Sequence, residues 1–184
     1  MSRAYMVGHI DREEMKQKTE CLRGRRDLFE GILSGEIKLG EGLIRGSLCN
    51  KHWTPKRLGI FLDRAESCGN CPLRWVGKGC KDSSSKYGEF EEMVNSRRKY
   101  RLAPLSNYTI NEVGGRQYNT LIGCIRSIIN DVDAAMAYVN SMYDSYKAYE
   151  NEILIGRIRN IASNANIEDK SAMILEAIEE TNKL

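Results

Sequence analysis

From Tyr118 onward, apolar residues return every seven positions, at Tyr118, Ile125, Val132, Val139, Tyr146 and Ile153. Leu121, Ile128, Ala135, Met142 and Tyr149 follow three places later, and Ile122, Ile129, Met136 and Tyr143 four places later. A stripe with that period dictates a helix, and it makes the helix amphipathic over its whole length. Residues 118–154 as one helix span about 55 Å at ~1.5 Å per residue. A small domain does not cover a helix that long, so part of the stripe must meet a partner helix. Two partners fit. One is the final helix, Ile167 to Asn182, capped by Asn166 and folded back after a break at Gly156 and the Asn160–Asn166 stretch. The other is the same helix of a second copy, giving a homodimer through residues 118–154, with Tyr118, Ile125, Val132, Val139 and Tyr146 at the interface.

The residues before this stripe follow different rules, which divides the chain into 1–116 and 117–184. Residues 11–20 start a helix, and Leu28, Phe29, Ile32 and Leu33 mark a short amphipathic helix from Arg25 to Ser34. Five glycines between Gly31 and Gly46 predict turns or a small hairpin. Thr54-Pro55 starts a helix running to about Ser67, with Leu58, Phe61, Leu62 and Ala65 on one face. Residues 68–86 read as irregular. Tyr87 to Arg101 reads as a helix stopped before Pro104, and Tyr108 to Val113 as a short strand. The expected fold is mainly α: a small zinc-knuckle-like N-terminal module plus a long C-terminal helical hairpin or coiled coil.

The module is named for its cysteines. Cys49-x2-His52 is followed by fifteen intervening residues, Cys68-x2-Cys71, and then Cys80. Two thiolates, or a thiolate and an imidazole, on one tight turn reach a single ion at ~2.0–2.3 Å. Two such turns complete a tetrahedron, and the separation between the pairs suits a structural zinc site. One ligand set is Cys49, His52, Cys68 and Cys71. The other is Cys49, Cys68, Cys71 and Cys80, and these four thiolates also suit an iron–sulfur cluster. Few apolar residues lie between Gly31 and Tyr87. A metal contributing ~10 kcal/mol or more on folding replaces the missing core. Trp53 and Trp75 flank the cluster and cover it. Cys21 and Cys124 stand apart, Cys124 as a small hydrophobe inside the heptad helix.

Charge is uneven. Residues 1–116 carry 22 basic against 15 acidic residues, and residues 117–184 carry 6 against 10. Arg97, Arg98, Lys99 and Arg101 form the densest cluster and are the candidate contacts for nucleic acid or another anion. The sequence pI of 8.5 is below the value above ~9 of a dedicated nucleic-acid binder, so protein is the favoured partner. No apolar run reaches the ~18 residues of a membrane span. Met1 to Lys18 lacks the apolar stretch of a secretory signal, so a cytoplasmic protein is expected. No nucleophile elbow, phosphate loop or dinucleotide glycine pattern is present. Asp27 with Glu36-Ile37-Lys38 has the order of an Mg²⁺-dependent D…ExK nuclease, but in a helix-then-glycine context rather than on two strands. No catalytic residue is assigned.

One stretch resembles a group of small cysteine-rich bacteriophage accessory proteins. It reads Cys49-Asn-Lys-His52, Cys68-Gly-Asn-Cys71-Pro72-Leu73, Gly79-Cys80, Ser83-Ser84-Ser85, and then Tyr87 and Phe90. His52 stands where the group usually has Cys, and Ser85-Lys86 where Thr-Pro is common. The resemblance covers residues 49–90. It implies a phage protein acting in the bacterial cytoplasm and implies no activity. The expectation is a non-catalytic, zinc-stabilised inhibitor or adaptor that binds a host or defence protein complex. A nucleic-acid-binding zinc protein and an iron–sulfur or Mg²⁺-dependent nuclease are the alternatives.

Overall fold

The computed structural model describes residues 10–45, 48, 69–95, 104–164 and 167–182. Among the described residues the chain is mainly helical and forms no strand. The elements are α1 (Arg12–Ser34), α2 (Leu39–Ile44), α3 (Pro72–Trp75), α4 (Tyr87–Val94), a 3₁₀ turn (Ile110–Glu112), α5 (Gly115–Asn164) and α6 (Ile167–Asn182). The helix expected from Thr54-Pro55 to Ser67 lies outside the described residues, as do the last residues of the one expected from Tyr87 to Arg101.

The chain divides into two compact units, Gln17–Val139 and Met1–Lys16 with Asn140–Leu184. The division expected at residue 117 therefore does not coincide with a unit boundary. The reason is apolar supply. The core of the larger unit joins Leu28, Phe29 and Ile32 of α1, Leu39, Tyr87, Phe90, Met93 and Val94 with Leu121, Cys124, Ile125, Ile128 and Ile129 of α5. Ile32 and Leu39, from the start of the sparse stretch, thus share a core with the first turns of the heptad helix.

Helix α1 is one element where two short helices were expected. Asp11 caps it, accepting the Glu14 N–H at 2.7 Å on its carboxylate and the Met15 N–H at 2.9 Å on its carbonyl. Gly35, at φ 84°, ends it in the left-handed conformation that glycine adopts without strain. The Glu36 and Ile37 N–H groups then return to the Gly31 carbonyl at 2.9 and 3.0 Å. The glycine-rich stretch that follows forms α2 rather than a hairpin. Its opening N–H groups donate outward, Leu39 to the Tyr108 carbonyl (2.9 Å) and Gly40 to Ser106 (3.0 Å).

The strand expected over Tyr108 to Val113 is instead a 3₁₀ turn. Glu112 reaches back to accept the Thr109 N–H at 2.6 Å and its hydroxyl at 2.9 Å, and this capping box outcompetes extended pairing.

In the larger unit α1 and α5 run antiparallel. Arg26 Nε meets Asp133 at 2.8 Å, while Phe29 and Ile32 further along join the cluster around Leu121 and Ile125. Packing within the larger unit covers the first part of the heptad stripe. Ile125, Val132 and Val139, expected at an intersubunit seam, have no exposed surface in the single chain, whereas Tyr118 is exposed and Tyr146 is half-buried.

In the smaller unit α5 runs through Gly156 without a break and ends at Asn164, ten residues past the expected stop. The final helix forms over the expected span, and its proposed cap Asn166 lies outside the described residues. It folds back along α5. Arg157 pairs with Glu180 at 3.5 Å, and Lys170 donates to the Ala162 carbonyl at 2.6 Å near the end of α5. This is an intrachain hairpin. It leaves Tyr149, Ile153, Ile155, Met173 and Leu175 exposed.

Candidate metal centre

Of the five candidate ligands, Cys71 and Cys80 are described, and Cys49, His52 and Cys68 lie outside the described residues. Trp53 and the basic cluster Arg97, Arg98, Lys99 and Arg101 lie outside them as well. Among the described residues no group of three potential ligands converges.

Cys71 is held by a turn in the stretch expected to be irregular. Pro72 starts α3 because its ring presets φ and its missing N–H is not needed there. The Cys71 carbonyl accepts the Arg74 N–H at 2.9 Å and the Trp75 N–H at 3.2 Å. Gly77, at φ 70°, ends the turn, and the Lys78 N–H returns to the Leu73 carbonyl at 2.6 Å. Burial pushes the Cys71 thiol up, while the main chain of Arg74 and Leu73 pulls it down.

Cys80 follows a second built turn. Asp82 accepts the Gly79 N–H at 2.8 Å on its carboxylate, and the Asp82 and Ser85 N–H groups close the loop onto the Gly79 and Asp82 carbonyls. Cys80 is half-buried against the core. Its sulfur accepts from Arg25 Nη1 at 3.5 Å. Arg25 is only 3% exposed, and its guanidinium lies 4.7 Å from the Tyr87 ring and 5.6 Å from that of Phe29.

Other charges surround the two turns. Asp131 of α5 is buried, 3.6 Å from Lys78 Nζ, and burial raises its carboxyl above the usual range while Lys78 and then Arg25 pull it down. Lys18 is buried too. It donates to the Asn70 carbonyl at 3.2 Å and lies 4.8 Å from the Trp75 ring. Trp75 packs edge-on to Tyr138 at 6.4 Å and donates its indole N–H to the Gly69 carbonyl at 2.7 Å. Arg25, Lys18 and Asp131 escaped sequence reading. The available signal was a cation on the apolar face of a helix: Arg25 lies three before Leu28 and four before Phe29.

The nuclease-like residues lie elsewhere. Asp27 is on the exposed side of α1, and Glu36 and Lys38 flank the turn into α2. Lys38 is near enough to Glu112 to favour its charged form. Among the described residues no helix is long and apolar enough to cross a membrane. No family model matches the chain, and no curated protein or solved structure matches it.

Proposed function

We propose that the protein is a non-catalytic binding protein whose N-terminal region is stabilised by a zinc ion, and that it acts as an inhibitor or adaptor on a host protein complex in the bacterial cytoplasm. The observation that carries the metal part is the tight turn that Cys71 opens with Pro72, together with the spacing of the cysteines and His52 around it. Cys49 and Cys68, or Cys49, His52 and Cys68, bring the remaining ligands. The resemblance over residues 49–90 supports a phage origin. The binding part is supported by large apolar side chains left exposed on two helices, including Ile153 at 44% and Leu175 at 60%. Their aliphatic and aromatic character suits a protein surface rather than phosphates.

The test is metal analysis of the purified full chain alongside affinity capture from bacterial lysate. About one zinc per chain in a colourless preparation, with a specific host protein retained, is expected. A brown preparation absorbing near ~400 nm replaces zinc with an iron–sulfur cluster. Binding to DNA that weakens steeply between ~50 and ~200 mM salt moves the target from protein to nucleic acid.

A further inference from the structure

We propose that a second copy of the chain docks on one side of the α5–α6 hairpin, in a two-fold contact built on Ile155 and Arg159 of α5 and Leu175 and Glu179 of α6. The inference goes beyond the reading above. It gives this side of the hairpin to a homodimer and leaves the opposite side, with Ile153 and Met173, for a host protein.

Burial shows the need for a cover. Among the described residues of the smaller unit only Ile10 and Ala177 are buried. A helix of sixteen residues, as α6 is, draws most of its stability from packing rather than propensity. Leu154, Ile158 and Ile161 of α5 and Ile174 and Ile178 of α6 make the seam between the two helices, and all five are only half-buried. Ile155 remains 48% exposed and Leu175 60%.

The seam also decides which residues share a side. Ile155 lies one residue, ~100° of helix, past Leu154, and Leu175 lies one past Ile174. In an antiparallel pair, equal offsets from the seam fall on the same side. Arg159 follows Ile155 by four and Glu179 follows Leu175 by four, so each charge stands one turn beyond an apolar side chain. Ile153 and Met173 precede their seam residues by one and fall on the opposite side. There the charges close on each other, Arg157 with Glu180 at 3.5 Å. On the Ile155 side Arg159 and Glu179 are exposed, and neither forms an ion pair among the described residues.

An apolar residue with a cation on one helix, and an apolar residue with an anion on the other, is a self-complementary face. A two-fold contact pairs residue i of one copy with residue j of the other, and j with i. Arg159 then meets the second copy's Glu179, and Glu179 meets the second copy's Arg159. The charges select the partner and the apolar pair supplies the area. The face is about 24 Å long, from the length of α6, and about 20 Å wide, two helix diameters. That is about 500 Å² per copy against the ~800 Å² of a standard interface, so a reversible dimer with micromolar dissociation is expected.

The purified full chain, under reducing conditions, is followed by sedimentation velocity from about 1 to about 300 μM. Wild type should pass from monomer to dimer across that range. Leu175→Glu should weaken association at least about 10-fold, and Ile153→Glu should leave it unchanged. Arg159→Glu and Glu179→Arg should each weaken it at least about 10-fold, because each places like charges together twice in its own dimer. An equimolar mixture of these two variants should recover the dimer, since both ion pairs are opposite in sign again in the mixed pair. Far-UV circular dichroism identifies any variant that fails to fold. A wild type that stays monomeric overturns the homodimer and leaves the host-protein reading standing. A dimer that survives Leu175→Glu, or is lost in folded Ile153→Glu, overturns the choice of side. A mixture of the two charge variants that stays monomeric overturns the two-fold pairing.

Discussion

Gly40 is the position where a single methyl group tests the packing of α2 most sharply. A Cβ there would stand 2.5 Å from the Ser106 carbonyl oxygen and 3.0 Å from the Ser106 Cβ. The obstacle is main chain, which cannot swing aside as a side-chain tip does. The same carbonyl accepts the Gly40 N–H at 3.0 Å, and the neighbouring Tyr108 carbonyl accepts the Leu39 N–H at 2.9 Å. Gly40→Ala therefore pushes the connector away from both donors. Each weakened hydrogen bond costs about 1 kcal/mol, more where a buried donor finds no substitute. Overpacking adds about 1–3 kcal/mol. Alanine's better helix propensity offsets about 1 kcal/mol of this. The net loss is about 2–4 kcal/mol, a large share of the ~5–15 kcal/mol that holds a typical domain. Gly123 is the control: it is exposed on α5, with nothing within 4 Å of a built Cβ among the described residues. Gly123→Ala should stabilise by about 1 kcal/mol. Urea unfolding of the full chain, followed by far-UV circular dichroism, reads both. If Gly40→Ala matches or exceeds wild type in stability, the close approach of α2 to the connector is refuted.

Four further outcomes are expected. The Glu112 carboxyl is held below its ordinary value of 4.5 by the Thr109 N–H and hydroxyl. Its contribution to stability is therefore present above that value and lost as pH falls through the depressed one, and a Glu112→Ala variant should lack this step in an acid-unfolding profile. Asp131 has the opposite sign. Burial raises its folded value, so its contribution is complete in acid and lost as pH rises, and Asp131→Asn should match or exceed wild-type stability near about pH 7 and converge with it below about pH 4. An Asn variant less stable by more than about 1 kcal/mol at neutral pH would show that the Lys78 pair outweighs desolvation. The Cys124 thiol, 3% exposed and pushed up to about 11 chiefly by burial, should resist alkylation until the chain unfolds. Cys124→Ser should cost about 1–3 kcal/mol in a urea titration by leaving a hydroxyl without a partner in the core. Chelation of the full chain should leave most of the helical circular dichroism intact while opening protease cleavage within residues 49–80, because α5 supplies the core that the metal was expected to replace. Complete loss of helicity on chelation would restore the metal as the main source of folding energy.

The longest-range order in the chain was the easiest to read. A seven-residue repeat sustained over 118–154 repeats one instruction many times, so isolated exceptions such as Gly123 or Gly156 do not erase it. Short elements have no such redundancy. Whether Tyr108 to Val113 became a strand depended on one side chain, Glu112, returning to Thr109, and local apolar alternation says nothing of that hydrogen bond. Whether Gly40 and Gly42 sat in a hairpin or a helix depended on carbonyls far along the chain, at Ser106 and Tyr108. Periodicity also tells which face of a helix is apolar without telling what covers it. Ile125, Val132 and Val139 fit an intersubunit seam and an intrachain core equally well by spacing, and only the folded chain shows all three buried within it.

The site divides along the same line. Cysteine spacing is chemistry written into adjacent residues, so the Cys71 turn was legible, and Pro72 marked its direction. Arg25 was not, since a basic residue on a helix is ordinarily solvated and only the folded chain turns this one inward, beside Cys80 and between Phe29 and Tyr87. Burial strips water from that guanidinium, and the two aromatic rings and the Cys80 sulfur stand in its place.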